Sequence, residues 1–313
     1  MSSGYYPSSS GYFPPGYSSS DCNSSSYQPP VYPSSSSSCY ATCTSSGYDS
    51  SSGYYSNYPV RYHDGKIGMN VKDIEMQGKA VKLTHQRKYD NLKLVSKDGP
   101  NGFGWEINRL PKIQWHPNVY YRAEFSKHDK VNFALESDKS GIHAALDEFP
   151  DTMRCDDKEK TIIVTRRNNA VWSFNNDPDG DCPLGAAISV EHPNGTKAIF
   201  IYQEKRLVKV QEYAASTPEQ ILLELAYDYT NDGHIASITL SQWNGKVTAP
   251  SKRMVYSYYT ENDSNGNHGD LKCATSELAF NAIWIPDGTY YYRYYKTDQE
   301  KGKQHALKMA FFP

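Results

Sequence analysis

The feature that most restricts the fold is a run of Asn-Gly and Asp-Gly dipeptides. Both central residues of a type I′ hairpin turn need positive φ, so these pairs are the strongest short-range hairpin signal. After residue 60 there are nine: Asp64-Gly65, Asp98-Gly99, Asn101-Gly102, Asp179-Gly180, Asn194-Gly195, Asp232-Gly233, Asn244-Gly245, Asn265-Gly266 and Asp287-Gly288. Between them lie short alternating stretches rich in β-branched and aromatic residues, such as residues 161–165 and 198–202. Helical periodicity is scarce, so the chain is predicted to be all-β, an array of antiparallel hairpins. One segment argues back. Ser216-Thr217-Pro218-Glu219-Gln220 has the cap, proline and acid of a helix start. The strict alternation of Ile221, Leu223, Leu225, Tyr227 and Tyr229 favours a strand directly after it.

Composition then divides the chain. Residues 1–60 hold 22 Ser and 11 of the 27 Tyr, no Lys or Arg, and only Asp21 and Asp49 as acids. So few aliphatic side chains cannot offset the entropy of ordering, and residues 1–58 are read as a disordered tail or tether. The remainder carries all 33 basic residues and all but those two of the 35 acidic ones, so it is formally neutral. It has no basic stripe to attract nucleic acid. Its longest apolar runs, residues 198–202 and 221–227, fall far short of the ~20 residues that span a bilayer, and no secretory signal is visible.

No catalytic constellation stands out: the sequence lacks a Gly-x-Ser-x-Gly elbow, a His-Glu-x-x-His helix and a phosphate loop. No enzyme activity and no cofactor are expected. The nine histidines are dispersed, and His234 and His305 fall beside turns, where a solvated imidazole is the expectation. Asp177, Asp179 and Asp181 form a weak calcium candidate, as does the Asp263–Asn267 loop, although tight turns favour the same residue types. Cys39 and Cys43 lack a second pair for zinc. Trp243, Trp284 and the tyrosines of residues 290–295 could stack on sugars; the competing expectation is that alternate members of that run face the core.

From residue 195 the hairpins become a repeat. Four segments each carry two aromatics at i and i+2, then a polar turn and a second apolar strand. The pairs are Phe200 and Tyr202, Tyr227 and Tyr229, Tyr256 and Tyr258, and Tyr292 and Tyr294. Gly195, Gly233 and Gly269 are the expected turn glycines. Residues two apart on a strand share a face, so each unit shows an aromatic stripe that one hairpin cannot bury alone but a stack can.

The second unit, Tyr227-Asp228-Tyr229-x-x-Asp232-Gly233-His234-Ile235-x-x-Ile238, resembles the tyrosine–aspartate (YD) repeat of RHS-repeat proteins. Upstream, residues 59–65, Asp73-Ile74, Arg87-Lys88-Tyr89-Asp90-Asn91 and Gly102-Phe103-Gly104-Trp105 resemble the segment that opens the repeat region in bacterial members. The other three units are degenerate, and the Asp-Pro self-cleavage signature of the family is absent. The resemblance implies an opening region at 59–194 and repeat hairpins at 195–313, forming part of an RHS-like curved sheet. It implies a non-enzymatic wall that encloses or displays a partner or C-terminal cargo at the cell surface or outside the cell. Four units cannot close such a shell, which implies a short relative or the first piece of a longer one. The alternative is a carbohydrate- or cell-surface-binding module that uses exposed aromatics.

Overall fold

The computed structural model describes residues 67–313, apart from 92–96, 108–109, 127, 148–149, 218 and 297–303. The expected tail, Asp64-Gly65 and residues 59–65 of the opening segment lie outside the described residues.

The described chain is all-β, without a helix. Strands β1 (Gly68–Gln77) and β2 (Lys82–Asp90) form a hairpin. A short ribbon follows, made of β3 (Asp98–Gly99) and β4 (Gly102–Phe103). Then β5 (Trp105–Ile107) returns to pair with β2, giving a three-stranded sheet. A second three-stranded sheet holds β6 (Lys112–His116), β7 (Tyr120–Glu124) and β8 (Lys130–Phe133).

The rest is one sheet of thirteen strands, each pairing antiparallel with its sequence neighbours in chain order. It starts with β9 (Ile142–Ala144), β10 (Thr152–Asp156), β11 (Thr161–Thr165), β12 (Val171–Asn175) and β13 (Ala187–Glu191). The aromatic units follow: β14 (Lys197–Gln203), β15 (Arg206–Tyr213), β16 (Ile221–Tyr229), β17 (Ile235–Trp243), β18 (Thr248–Tyr258), β19 (Leu271–Phe280), β20 (Ile283–Tyr294) and β21 (Leu307–Phe311). The contested segment is strand β16, preceded by a turn closed by the Gln220 amide on the Thr217 carbonyl. One face of the sheet is apolar and buried, as the alternation requires: Ile162 and Val164 on β11, Leu225 and Tyr227 on β16, Met254 and Tyr256 on β18. The β1-β2-β5 sheet contributes Ile74, Met76, Tyr89 and Trp105 to the same core.

Some of the glycine dipeptides mark hairpins, though not through type I′ turns, whereas Asp98-Gly99 is itself strand β3 and Gly102 begins β4. At residues 192–196 the Gly195 amide bonds to the His192 carbonyl and the His192 amide to the Thr196 carbonyl. Residues 230–234 repeat that pattern, with φ of 79° at Gly195 and 88° at Gly233. These are three-residue loops in which only the last position is left-handed, the conformation that needs glycine. The two-residue turns with two positive φ values are instead Glu204-Lys205 (50° and 63°) and Asn281-Ala282 (49° and 62°), neither of which contains glycine. Asp287-Gly288 is no turn. It lies inside β20, where the pairing with β19 slips at a bulge.

Candidate functional site

The four aromatic pairs occupy equivalent places. In each unit the first aromatic, Phe200, Tyr227, Tyr256 or Tyr292, is buried and sits opposite Val210, Ile238, Ala274 or Ala310. One residue further on, every pairing slips at a bulge. The second aromatic then meets the first apolar residue of the return strand: Tyr202 with Leu207, Tyr229 with Ile235, Tyr258 with Leu271, Tyr294 with Leu307. Successive units are also stitched. The Tyr229 hydroxyl donates to the Leu207 carbonyl at 2.8 Å and the Tyr258 hydroxyl to the Ile235 carbonyl at 2.7 Å, in each case one unit back. Burial pushes the Tyr229 phenol up to about 12.

What covers the buried tyrosines is the β1-β2-β5 sheet, more than 100 residues away in sequence. Arg87 and Asp73, both with fully buried side chains, form a two-pronged pair at 2.5 and 2.9 Å. The Tyr256 hydroxyl donates to Asp73 at 2.7 Å, and Arg87 donates to the Tyr292 hydroxyl at 3.1 Å. The guanidinium carbon lies 4.9 Å from the Trp105 ring centre and 5.5 Å from those of Tyr256 and Tyr292. Burial works against its charge, but Asp73 and the phenols outweigh that, so Arg87 stays protonated. The Trp105 indole N–H donates to the Tyr294 hydroxyl at 2.9 Å, and the Tyr89 hydroxyl spans the His305 carbonyl and the Leu307 amide. His85 packs beside Tyr227 and Tyr256 and bonds Asn101; burial depresses it to about 4.

The β3-β4 ribbon closes one end of this seam. It corrects the expectation of solvated imidazoles, since His234 and His305 are 5% and 7% exposed. His234 meets Asp98 at 2.8 Å and stacks on Tyr258, while His305 meets Asp270 at 2.7 Å and stacks on Phe103. Local turn chemistry gave no sign of a ribbon arriving from 130 or more residues away. At the opposite end the buried Glu212 carboxylate accepts the amides of Lys79, Ala80 and Val81 in the β1-β2 turn.

The acidic loops hold lysines. Asp177 pairs with Lys160 at 3.0 Å, Asp179 donates its amide to Asp177, and the Lys205 ammonium donates to the carbonyls of Pro178, Gly180 and Cys182. Asp181 is exposed. In the second loop, Asp263 takes Lys272 at 2.9 Å on its carboxylate and Lys296 at 2.7 Å on its carbonyl. Among the described residues no cluster of three His, Cys, Asp or Glu side chains is arranged to hold a metal. No described helix is long and apolar enough to cross a membrane, which says nothing of β-barrels. Of the candidate sugar-stacking residues, Trp284 lies under Arg253 at 4.3 Å, and Trp243 is 37% exposed. Tyr292 and Tyr294 point into the core while Tyr291 points out.

No protein-family profile matches the chain, and no curated protein matches it in sequence. In three dimensions it is similar to TcdB2-TccC3, with a TM-score of 0.51 at 9% identity over 74% of this chain and 16% of that one. TcdB2-TccC3 without its hypervariable C-terminal region gives 0.50 at 9% identity over 73% and 16%. The N-terminal domain of effector protein SpvB from Salmonella typhimurium gives a TM-score of 0.47 at 11% identity, over 68% of this chain and 99% of that domain. The chain thus spans about a sixth of the TcdB2-TccC3 chain. At such identities the likeness speaks to the fold.

Proposed function

We propose that the chain is a non-enzymatic structural protein of RHS/YD type, whose long sheet forms part of a wall that encloses or displays a polypeptide partner or cargo. The carrying observation is the register. Four hairpin units place an aromatic pair, a bulge and an apolar return residue at equivalent positions, and hydroxyls stitch one unit to the next. Such a unit is extended by adding another to its edge, which is how a repeat array builds a wall. The likeness to part of TcdB2-TccC3 supports the same reading at the level of fold. The division into an opening region at 59–194 and repeats at 195–313 belongs to this proposal. So does the role of the opening region, whose Arg87 and Trp105 seal the tyrosine face.

The test is to append a second copy of residues 195–313 after Pro313 of the full chain. An extendable wall gives one elongated body by small-angle scattering, with the added copy resistant to limited proteolysis. Rapid digestion of the added copy back to the parent length refutes the reading. A carbohydrate-binding reading rests on a separate observation, the cleft beside Trp243.

A further inference from the structure

A cleft of about 430 Å³ opens where the β1-β2 turn, the β13-β14 turn and the β15-β16 connection meet the end of β17. That volume lies in the range of small-ligand sites. Trp243 forms one wall, and the register that pairs Leu223 with Gln242 sets Leu222 beside it. Lys79, Asn194, Thr196, Ser216 and Gln220 supply the polar lining. Asn194 already uses its carbonyl oxygen on the Thr196 amide and hydroxyl, at 3.0 and 2.7 Å. Gln220 uses its own on the Thr217 hydroxyl at 2.6 Å. With both lone pairs of its oxygen used, Asn194 has only its NH2 group left to offer, while Gln220 keeps one lone pair beside its NH2 donors. Lys79 adds an ammonium. No carboxylate lines the cleft, because the nearby Glu212 is 1% exposed and turned onto the amides of the β1-β2 turn.

An exposed indole surrounded by donors fits a ligand with a flat apolar C–H face, several acceptor oxygens and a negative charge. We propose that this cleft binds an acidic saccharide, a pyranose uronate in its simplest form. Its ring face stacks on Trp243, its carboxylate faces Lys79, and its ring oxygens accept from Asn194 and Gln220. This rests on the carbohydrate reading and gives it a site and a sugar class; the wall reading does not depend on it.

The test is calorimetric titration of the full chain with tetragalacturonate, with maltotetraose as the neutral comparator. The uronate binds, Trp243→Ala weakens it by about 10-fold or more, and Trp243→Phe, which keeps a ring, retains most of the affinity. Lys79→Gln weakens it by about 3-fold and flattens its salt dependence. Circular dichroism melts of each variant exclude unfolding as the cause. Equal binding of maltotetraose, lost in Trp243→Ala, overturns the acidic class and leaves a sugar site. Binding of neither sugar, or uronate binding indifferent to Trp243→Ala, overturns both.

Discussion

The seam between the two sheets makes its sharpest prediction at Asp73. Both Asp73 and Arg87 have side chains with 0% exposure, joined by two guanidinium bonds, and Asp73 also accepts from Tyr256. Asp73→Ala leaves a guanidinium buried among Trp105, Tyr256 and Tyr292 with no anion. Breaking one side of such a pair costs about 3–5 kcal/mol, and the orphaned Tyr256 hydroxyl adds about 1 kcal/mol. For a body of this size each kcal/mol lowers the melting temperature by about 2–4 °C, so a fall on the order of 10–20 °C is expected. Replacing both partners, Asp73→Leu with Arg87→Met, removes the uncompensated charge and is predicted to be more stable than Asp73→Ala alone. Urea unfolding followed by circular dichroism of the parent, Asp73→Leu, Arg87→Met and the double variant gives all corners of the cycle. Two results refute the reasoning: an Asp73→Ala loss below about 1 kcal/mol, or a double variant as unstable as the two singles added together.

Other consequences are smaller or more local. Because burial holds His85 near 4 rather than at its ordinary 6.5, the unfolded chain takes up its proton first as pH falls. That contribution is complete above about pH 6.5 and is lost between there and pH 4, roughly 3 kcal/mol in all; urea midpoints in His85→Leu should lose this part of the acid slope. Gly102, at φ 85°, brings its α-carbon against the Gly269 carbonyl, so Gly102→Ala should cost at least about 2 kcal/mol in urea unfolding and expose His234 and His305 to faster imidazole C2–H exchange. Tyr229→Phe should cost about 1 kcal/mol for the bond to Leu207, and Tyr229→Ala about 3 kcal/mol; an alanine variant that melts like the parent shows that the stripe does not hold the array.

Sequence made the array legible and its cover invisible, for a physical reason. The array is local. Hairpin partners lie within a few residues of their turns, and period-2 alternation with aromatics at i and i+2 is visible in any short window of β16, β18 or β20. Even there the turn type differs from the one the dipeptides predict. An Asx-Gly pair fits both a type I′ turn and the left-handed end of a three-residue loop, while Glu204-Lys205 adopts positive φ with Lys205 anchored on three carbonyls across the Asp177–Cys182 loop. The cover is non-local. Nothing near Arg87 says that its partners are Tyr256 and Tyr292, and nothing beside Gly233 says that His234 will meet Asp98.

That asymmetry bears on how such a wall can evolve. Hairpin units held by local register tolerate drift, because a changed residue is felt only by its neighbours and the next unit back. The seam tolerates much less. Asp73, Arg87 and Trp105 each touch two or more aromatic units or one another, so a change on one strand leaves a buried group unmatched on another. Tyr256 and Tyr292, which answer to Arg87, should therefore resist substitution more than Tyr202, whose hydroxyl is buried without a hydrogen-bond partner. Tyr202→Phe separates the two cases: it should be neutral or stabilising, whereas Tyr256→Phe and Tyr292→Phe each strip a bond from the charged pair and should cost about 1–3 kcal/mol. Equal losses at all three positions would mean that the tyrosines are retained for the stripe alone and that the seam adds nothing to it.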